Sequence, residues 1–156
     1  MRKLLVLAVI LFTVSAQAQE IERKVDEFTN KVSYSVNAAC SFEKQGKGQM
    51  VLLPTFTPKG ELEWLGAMAI GIGCLDDAKI YILFEDGEVI NKTMFNDFNC
   101  DGLGAFRLSK SDWDMLATKK IAKVKLQNKA KSIIGLPDNP NYFIRVSEIV
   151  AEKDYL

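Results

Sequence analysis

The chain has 156 residues, of which 48% are hydrophobic and 26% charged, and its 20 basic residues balance its 20 acidic ones. A balanced charge does not favour binding to nucleic acid or to an anionic membrane surface. Histidine is absent, which excludes Ser-His-Asp and Cys-His catalytic pairs and imidazole metal sites.

The N-terminal segment has the pattern of a signal peptide. Arg2 and Lys3 precede an apolar run over residues 4–12, and the Ala-Gln-Ala sequence at 16–18 supplies a cleavage site of small residues. The apolar run is shorter than the about 20 residues that a membrane span needs. We therefore expect residues 1–18 to be a cleaved leader.

The remainder of the chain, residues 19–156, is predicted to be a single globular domain. Its 138 residues are enough to bury a core without a framework of disulfides. Without Arg2 and Lys3 its formal charge is −2. We expect an exported protein, periplasmic or extracellular, with no stable membrane insertion and no nucleic-acid partner.

The first half of this domain consists of strand signals. Residues 31–42 alternate polar and apolar side chains, as a half-buried strand does. A polar turn over residues 43–49 is followed by an apolar run, which predicts a returning strand that ends near Pro54. Residues 63–74 are apolar with three glycines, which favours a strand buried on both faces over a helix.

Residues 79–95 give the strongest local signal. Two runs rich in β-branched and aromatic residues flank Asp86 and Gly87. An Asp-Gly pair between such runs predicts a hairpin with a two-residue type I′ turn.

The second half adds helices. A short strand near Phe106 is followed by a predicted short helix with Ser109 or Ser111 as its N-cap and with Trp113, Leu116 and Ala117 on its apolar side.

Residues 121–136 predict another hairpin about Asn128. A C-terminal helix is then expected after Pro140, because Phe143, Val146 and Val150 recur at helical spacing. The whole pattern predicts a mainly β, α+β fold: an antiparallel sheet or sandwich with one short internal helix and one C-terminal helix.

The segment "FNDFNCDGLG", residues 95–104, resembles the beginning of a calcium-binding EF-hand loop. Asp97, Asn99 and Asp101 have the spacing of the first three ligands, but the twelfth position is Leu108 where an EF-hand has a bidentate glutamate. A strand also precedes the segment where a helix is required. A polar turn is the favoured interpretation, with calcium at these three residues as the alternative; no other cofactor is predicted.

Cys74 and Cys100 are predicted to form a disulfide. In a hairpin centred on residues 86–87, the residue numbers of two facing positions add up to about 173. The numbers of Cys74 and Cys100 add up to nearly this value, so the two residues should lie almost opposite each other. Asp76 and Asp77 are the counter-argument, since they could interrupt the strand. Cys40 would be the odd thiol, either buried or available for an intermolecular bond.

The remaining candidates have ordinary structural explanations. The glycines of residues 71–77 lack the third glycine and the helix of a nucleotide loop. Asn91-Lys92-Thr93 is a glycosylation sequon that matters only in a eukaryotic host. Acidic clusters could supply the paired carboxylates of a glycosidase, but turns and helix starts explain them as well: Glu61 and Glu63; Glu85, Asp86 and Glu88; Asp112 and Asp114. Four aromatic residues at strand spacing are expected in the core, unless a row of them is exposed as a ligand surface: Tyr34, Trp64, Tyr81 and Phe84.

The runs "KVDEFTNKVSYS", "FEDG", "NCDGLGAFRLSKSD" and "IAKVKL…NYFIRVSEIV" together resemble small exported bacterial proteins of unassigned function. The resemblance rests on hydrophobic spacing and turns over most of the domain. It implies a setting in the bacterial cell envelope and carries no activity with it.

These observations favour a non-catalytic binding or accessory protein over an enzyme. We expect it to bind a protein, peptide or glycan through a sheet face, edge or loop. The alternatives are a secreted hydrolase that uses two carboxylates, one with a raised pKa, and a calcium-stabilised module.

Overall fold

The computed structural model describes residues 21–36, 40–44, 49–97 and 100–152. The predicted leader and Asn99 lie outside these ranges. The described chain is mainly β, with antiparallel strands and two helices, as the sequence predicts. In chain order the elements are β1 Ile21–Val25, β2 Val32–Val36, β3 Cys40–Lys44, β4 Gln49–Phe56, β5 Leu62–Ala69, β6 Lys79–Phe84, β7 Val89–Thr93, β8 Leu103–Phe106, α1 Lys110–Thr118, β9 Ile121–Gln127, β10 Ser132–Pro137 and α2 Tyr142–Glu152.

Strand β4 is the branch point of the strand network. Along one edge it pairs with β5, and along the other it pairs first with β3 and then with β2. One sheet therefore runs β1-β2-β4-β5-β8, and the other runs β3-β10-β9-β6-β7 from the β3–β4 pairing. Every pairing is antiparallel.

The far ends of the two sheets meet just after β7. The Phe95 N–H donates to the Ala105 carbonyl of β8 at 2.9 Å. The Asn96 side chain donates to the Leu103 carbonyl at 3.1 Å and accepts from the Ala105 N–H at 2.7 Å. The circuit of strands is thereby closed around one core.

The core is formed by the inward side chains of the strands and by one side of α2. Its largest fully buried members include Phe56, Phe84, Phe106 and Phe143. Leu116 of α1 is also fully buried. The apolar side predicted for each helix therefore does face the core.

Several sequence predictions require correction at element ends. The strand predicted to stop near Pro54 continues to Phe56, because β4 changes partner at this point and needs no donor from the proline. The strand predicted over residues 63–74 ends at Ala69, since Gly71 and Gly73 have φ of +84° and +83°.

The hairpin at residues 79–93 is present, but its turn is not type I′. Phe84 pairs with Glu88 through a 3.0 Å backbone bond, so the loop has three residues. Gly87 has φ of +90° and Asp86 has no positive φ, because the Asp86 carboxylate accepts the Glu88 N–H at 3.1 Å and fixes an Asx-type turn.

Strand β1 was not predicted from the sequence. It pairs with β2 in register from Ile21 opposite Val36 to Val25 opposite Val32. Its residues from Glu22 onward are exposed, so it lacks the apolar alternation on which the prediction of strands depends.

A thiol titration tests the cysteine assignment. Cys40 is 2% exposed, and burial, helped by the negative charge of Asp138, raises the pKa of its thiol to about 12. We expect no reaction of the native protein with a thiol reagent at pH 8, one reactive thiol per chain in urea, and three in urea after reduction.

The control for this titration is Cys40→Ser, which should leave no thiol in unreduced urea. Three reactive thiols in the wild-type protein in unreduced urea would show that Cys74 and Cys100 are not bonded.

Candidate functional site

The Cys74 and Cys100 sulfur atoms are 2.01 Å apart, within bonding distance of each other. The pairing predicted from the sequence is therefore present, although the premise of a continuous ladder is wrong. The β6–β7 ladder ends at Lys79 opposite Thr93, and Asp77 has φ of +48°, which interrupts the strand. The disulfide joins the two segments beyond that ladder.

The segment that carries Cys74 is also attached to the β9–β10 turn. The Asn128 side-chain amide donates to the carbonyls of Cys74 at 2.9 Å and Ile72 at 3.3 Å. Lys129 forms ion pairs with Asp76 at 2.5 Å and Asp77 at 3.3 Å. These contacts tie three separate loops together.

The described residues do not form a geometry that supports a calcium site. Asp97 and Asp101 are exposed, and Asn99 is outside the described residues. Within the described ranges no group of three acidic, cysteine or histidine residues converges on a point that could hold a metal ion. Calcium binding at Asp97, Asn99 and Asp101 stays a prediction.

The acidic clusters are largely occupied by lysines. Lys119 bonds Asp86 at 2.7 Å and Glu88 at 2.5 Å. Glu63 forms an ion pair with Lys31. A carboxylate held by an ammonium group is stabilised in its charged form and is a poor general acid.

Asp112 is the most buried of these acids, at 9% exposure. It closes a capping box with Ser109, the N-cap of α1, and pairs with Lys92 of β7 at 2.5 Å. Burial acts to raise its pKa, but the bonds from Lys92 and Ser109 outweigh that effect and hold the pKa below its usual range. The Asp112 carboxylate therefore attaches the start of α1 to β7.

The opposite end of α1 is attached to the same hairpin through Lys119. Hydrogen bonds from its ammonium group lower the pKa of Asp86, and the same bonds raise the pKa of Lys119. Ion pairs at both ends of α1 therefore connect the helix to the β6–β7 hairpin.

Register and burial together define an outward surface on β6, β7, β9 and β10. Along each strand buried residues alternate with residues that are partly or fully exposed, and the latter align in rows across the sheet. We call this surface the basic-apolar face; it consists of Lys79, Tyr81, Leu83, Val89, Asn91, Thr93, Lys123, Lys125, Gln127, Ser132, Ile134 and Leu136.

The composition of the basic-apolar face is unusual for an exposed sheet surface. Ile134 and Leu136 are each 49% exposed and Val89 is 51% exposed. Three of the twelve positions are lysines and none is acidic; on β3, the next strand of the same sheet, Glu43 is paired with Leu136. The Lys125 ammonium lies 4.2 Å from the centre of the Tyr81 ring, a cation–π contact that orients both side chains.

Of the four aromatic residues singled out in the sequence, two lie in or against the core and two face outward. Phe84 is buried and Tyr34 packs against the core, as expected. Tyr81 belongs to the basic-apolar face. Trp64 points outward from β5 and lies over Gly66, where a Cβ atom would come within 2.9 Å of the indole.

A separate cleft of about 450 Å³ opens between the β4–β5 turn and the start of α1. It is lined by Gly60, Glu61, Leu62, Leu108, Ser109, Lys110, Trp113 and Asp114. Two carboxylates reach this cleft, but both oxygens of Asp114 accept from Lys110, at 2.8 and 3.0 Å. The cleft therefore combines an apolar wall with polar groups, of which Asp114 is already paired with Lys110.

The fold defines a mainly β protein with a disulfide and two outward surfaces of different chemistry. Comparison of the chain with protein families, curated proteins and solved structures found no match to any of them. In the part of the chain that is described, neither helix has the length and hydrophobicity to cross a bilayer.

Two neighbouring aspartates on α1 test the attachment of the helix. Asp112→Ala removes both the capping box and the partner of Lys92, so we expect the free energy of unfolding in urea to fall by about 2 to 3 kcal/mol. Asp114→Ala, the matched control, removes an exposed pair spaced i, i+4 and should cost less than about 0.5 kcal/mol.

The difference in stability between the wild type and Asp112→Ala should depend on pH in a defined direction. Because the pKa of Asp112 is lowered in the folded protein, its stabilisation is present at neutral pH and is lost as the pH falls through the lowered value. The gap between wild type and Asp112→Ala should therefore narrow in acid. Equal losses for the two variants at pH 7 would contradict the attachment.

Proposed function

We propose that this protein is an exported, non-catalytic binding protein that recognises an acidic, partly apolar protein segment through its basic-apolar face. The observation that carries the proposal is the combination of half-exposed aliphatic side chains with three lysines and no acid on the outward side of β6, β7, β9 and β10. Patches of this kind on a monomer are typical of interaction sites.

The apolar part of the face supplies the affinity. Ile134, Leu136 and Val89 are each about half exposed, so complete burial of each under a partner would contribute about 1 kcal/mol. Tyr81 adds a large amphipathic ring that is already oriented by Lys125. A rigid aromatic side chain loses little conformational entropy on binding.

The charge of the face selects the partner. Lys79, Lys123 and Lys125 are the charged residues of the basic-apolar face, whereas the whole chain has no net charge. The face therefore carries a local excess of positive charge. It favours an acidic partner and would raise the association rate in a manner that depends on salt.

The edges of the strand network are less suited to binding than the face. Just beyond β7, the hydrogen-bonding groups at this edge are already used by the bonds of Phe95 and Asn96 to β8. At the other extreme of the network, β1 exposes charged residues, which is a common means of discouraging strand addition.

Export is supported by two features of different kinds. The sequence begins with the pattern of a leader, and the Cys74–Cys100 bond requires an oxidising compartment. A periplasmic or extracellular location accounts for both.

The hydrolase alternative has less support. It needs a carboxylic acid kept protonated near neutral pH, whereas the pKa shifts of Asp86 and Asp112 are both downward. In each case lysine hydrogen bonds favour the carboxylate.

Selection of peptides on the protein tests this proposal. A phage-displayed library of random 12-residue peptides would be selected on the wild-type protein and counter-selected on the variant Lys123→Glu/Lys125→Glu. We expect the enriched peptides to combine Asp or Glu with aliphatic or aromatic residues and to bind more weakly at higher salt. In a fluorescence anisotropy titration, the variant should bind the best peptide at least about tenfold more weakly.

The matched control is Lys24→Glu/Lys59→Glu, which changes the net charge equally at exposed lysines outside the face. It should change the affinity by less than about twofold, as expected for charges remote from the interface. Enrichment of peptides without acidic residues, or equal weakening by both double variants, would refute the proposal.

A further inference from the structure

The cleft beside α1 has a rigid aromatic wall. Trp113 packs edge-to-face against Phe56, with ring centres 5.4 Å apart, and against Phe143 at 6.4 Å. Both phenylalanines are almost completely buried. The indole is consequently fixed from behind by the core, while it remains partly exposed towards the cleft.

The polar wall opposite is also ordered by internal bonds. In the β4–β5 turn the Thr57 N–H donates to the Glu61 carbonyl at 2.8 Å, and the Gly60 N–H donates to the Thr57 carbonyl at 2.9 Å. The Thr57 hydroxyl accepts the Glu61 N–H at 3.3 Å. Since both walls are held without a ligand, binding would require little ordering of the protein.

The chemistry of the lining narrows the class of ligand. Two carboxylates against one lysine disfavour an anion, and a wholly apolar ligand would leave the polar groups desolvated. An organic cation would compete with Lys110, which already neutralises Asp114. A neutral ring with one apolar side and a rim of hydroxyl groups matches the indole together with the carboxylate and ammonium groups.

We propose that this cleft binds a neutral carbohydrate of one or two rings. The sugar ring stacks on Trp113, and its hydroxyl groups donate to the Glu61 carboxylate. A volume of about 450 Å³ lies within the usual range of small-molecule sites. The cleft is separate from the basic-apolar face, so this proposal does not depend on the function proposed for that face.

Tryptophan fluorescence gives a direct test, because the chain has only two tryptophans. The variant Trp64→Phe leaves Trp113 as the single reporter. An array of neutral mono- and disaccharides would be screened on the wild-type protein, and the bound sugars would be titrated into Trp64→Phe. We expect a saturable change in Trp113 emission and an affinity, measured by calorimetry, close to that of wild type.

Two variants distinguish a loss of sugar binding from a loss of protein stability. Trp113→Ala should weaken sugar binding at least about tenfold, although it also removes a core contact. Glu61→Gln lies on the exposed turn and should weaken binding several-fold with an unchanged melting temperature, whereas Glu85→Gln, the matched control on another turn, should change neither. The proposal is overturned if no neutral sugar binds, or if Glu61→Gln binds as wild type does.

Discussion

The closure between the end of β7 and strand β8 is the contact on which the remaining architecture depends. The Phe95 N–H and the Asn96 side chain together make three hydrogen bonds to β8, and they join the last strands of the two sheets. With the circuit closed, one set of side chains is enclosed in the core. The outward set is what a partner can contact.

The disulfide and the ion pairs maintain that closure from outside the core. The bond between Cys74 and Cys100 holds the segment after β7 to the segment before β6. A cross-link over 26 residues restricts the unfolded chain, which is worth about 3.5 kcal/mol in the loop-entropy description. The pairs of Lys92 and Lys119 hold α1 against the same hairpin.

The two candidate binding surfaces follow from this arrangement in different ways. The basic-apolar face is a consequence of strand alternation, since the register that buries Ile133 leaves Ile134 exposed. The cleft results from the packing of a helix start against a turn, with Trp113 bridging the core and the surface. A flat face suits a macromolecule, and a concave cleft suits a small ligand.

The sequence was informative where structure is set by near neighbours. The hairpin about Asn128, the N-cap Ser109 and the buried side of α2 all depend on residues within a few positions of one another, and each was predicted. The turn type was predicted less well. The Asp86 carboxylate accepts the Glu88 N–H, and the loop has three residues where a two-residue loop was expected. The pairing of β3 with β10 could not be predicted, since about 90 residues separate them and no local pattern encodes their contact.

The candidate sites were correspondingly less predictable than the fold. The basic-apolar face exists only because β9 lies between β6 and β10, an order that places Lys125 beside Tyr81. The acidic clusters were visible in the sequence, but some of the lysines that pair with them are distant along the chain, as Lys119 is from Asp86 with a separation of 33 residues.

Methyl NMR of the protein with an acidic peptide selected on it would show directly whether the basic-apolar face is the binding surface. Ile134 and Leu136 are the outward reporters, buried Ile133 is the internal control, and Leu53 and Met68 report on the other sheet. We expect the peptide to shift the methyl signals of Ile134 and Leu136 in a saturable manner, with little change at the other three residues. Shifts centred on Leu53 and Met68 would instead place the binding surface on the opposite sheet.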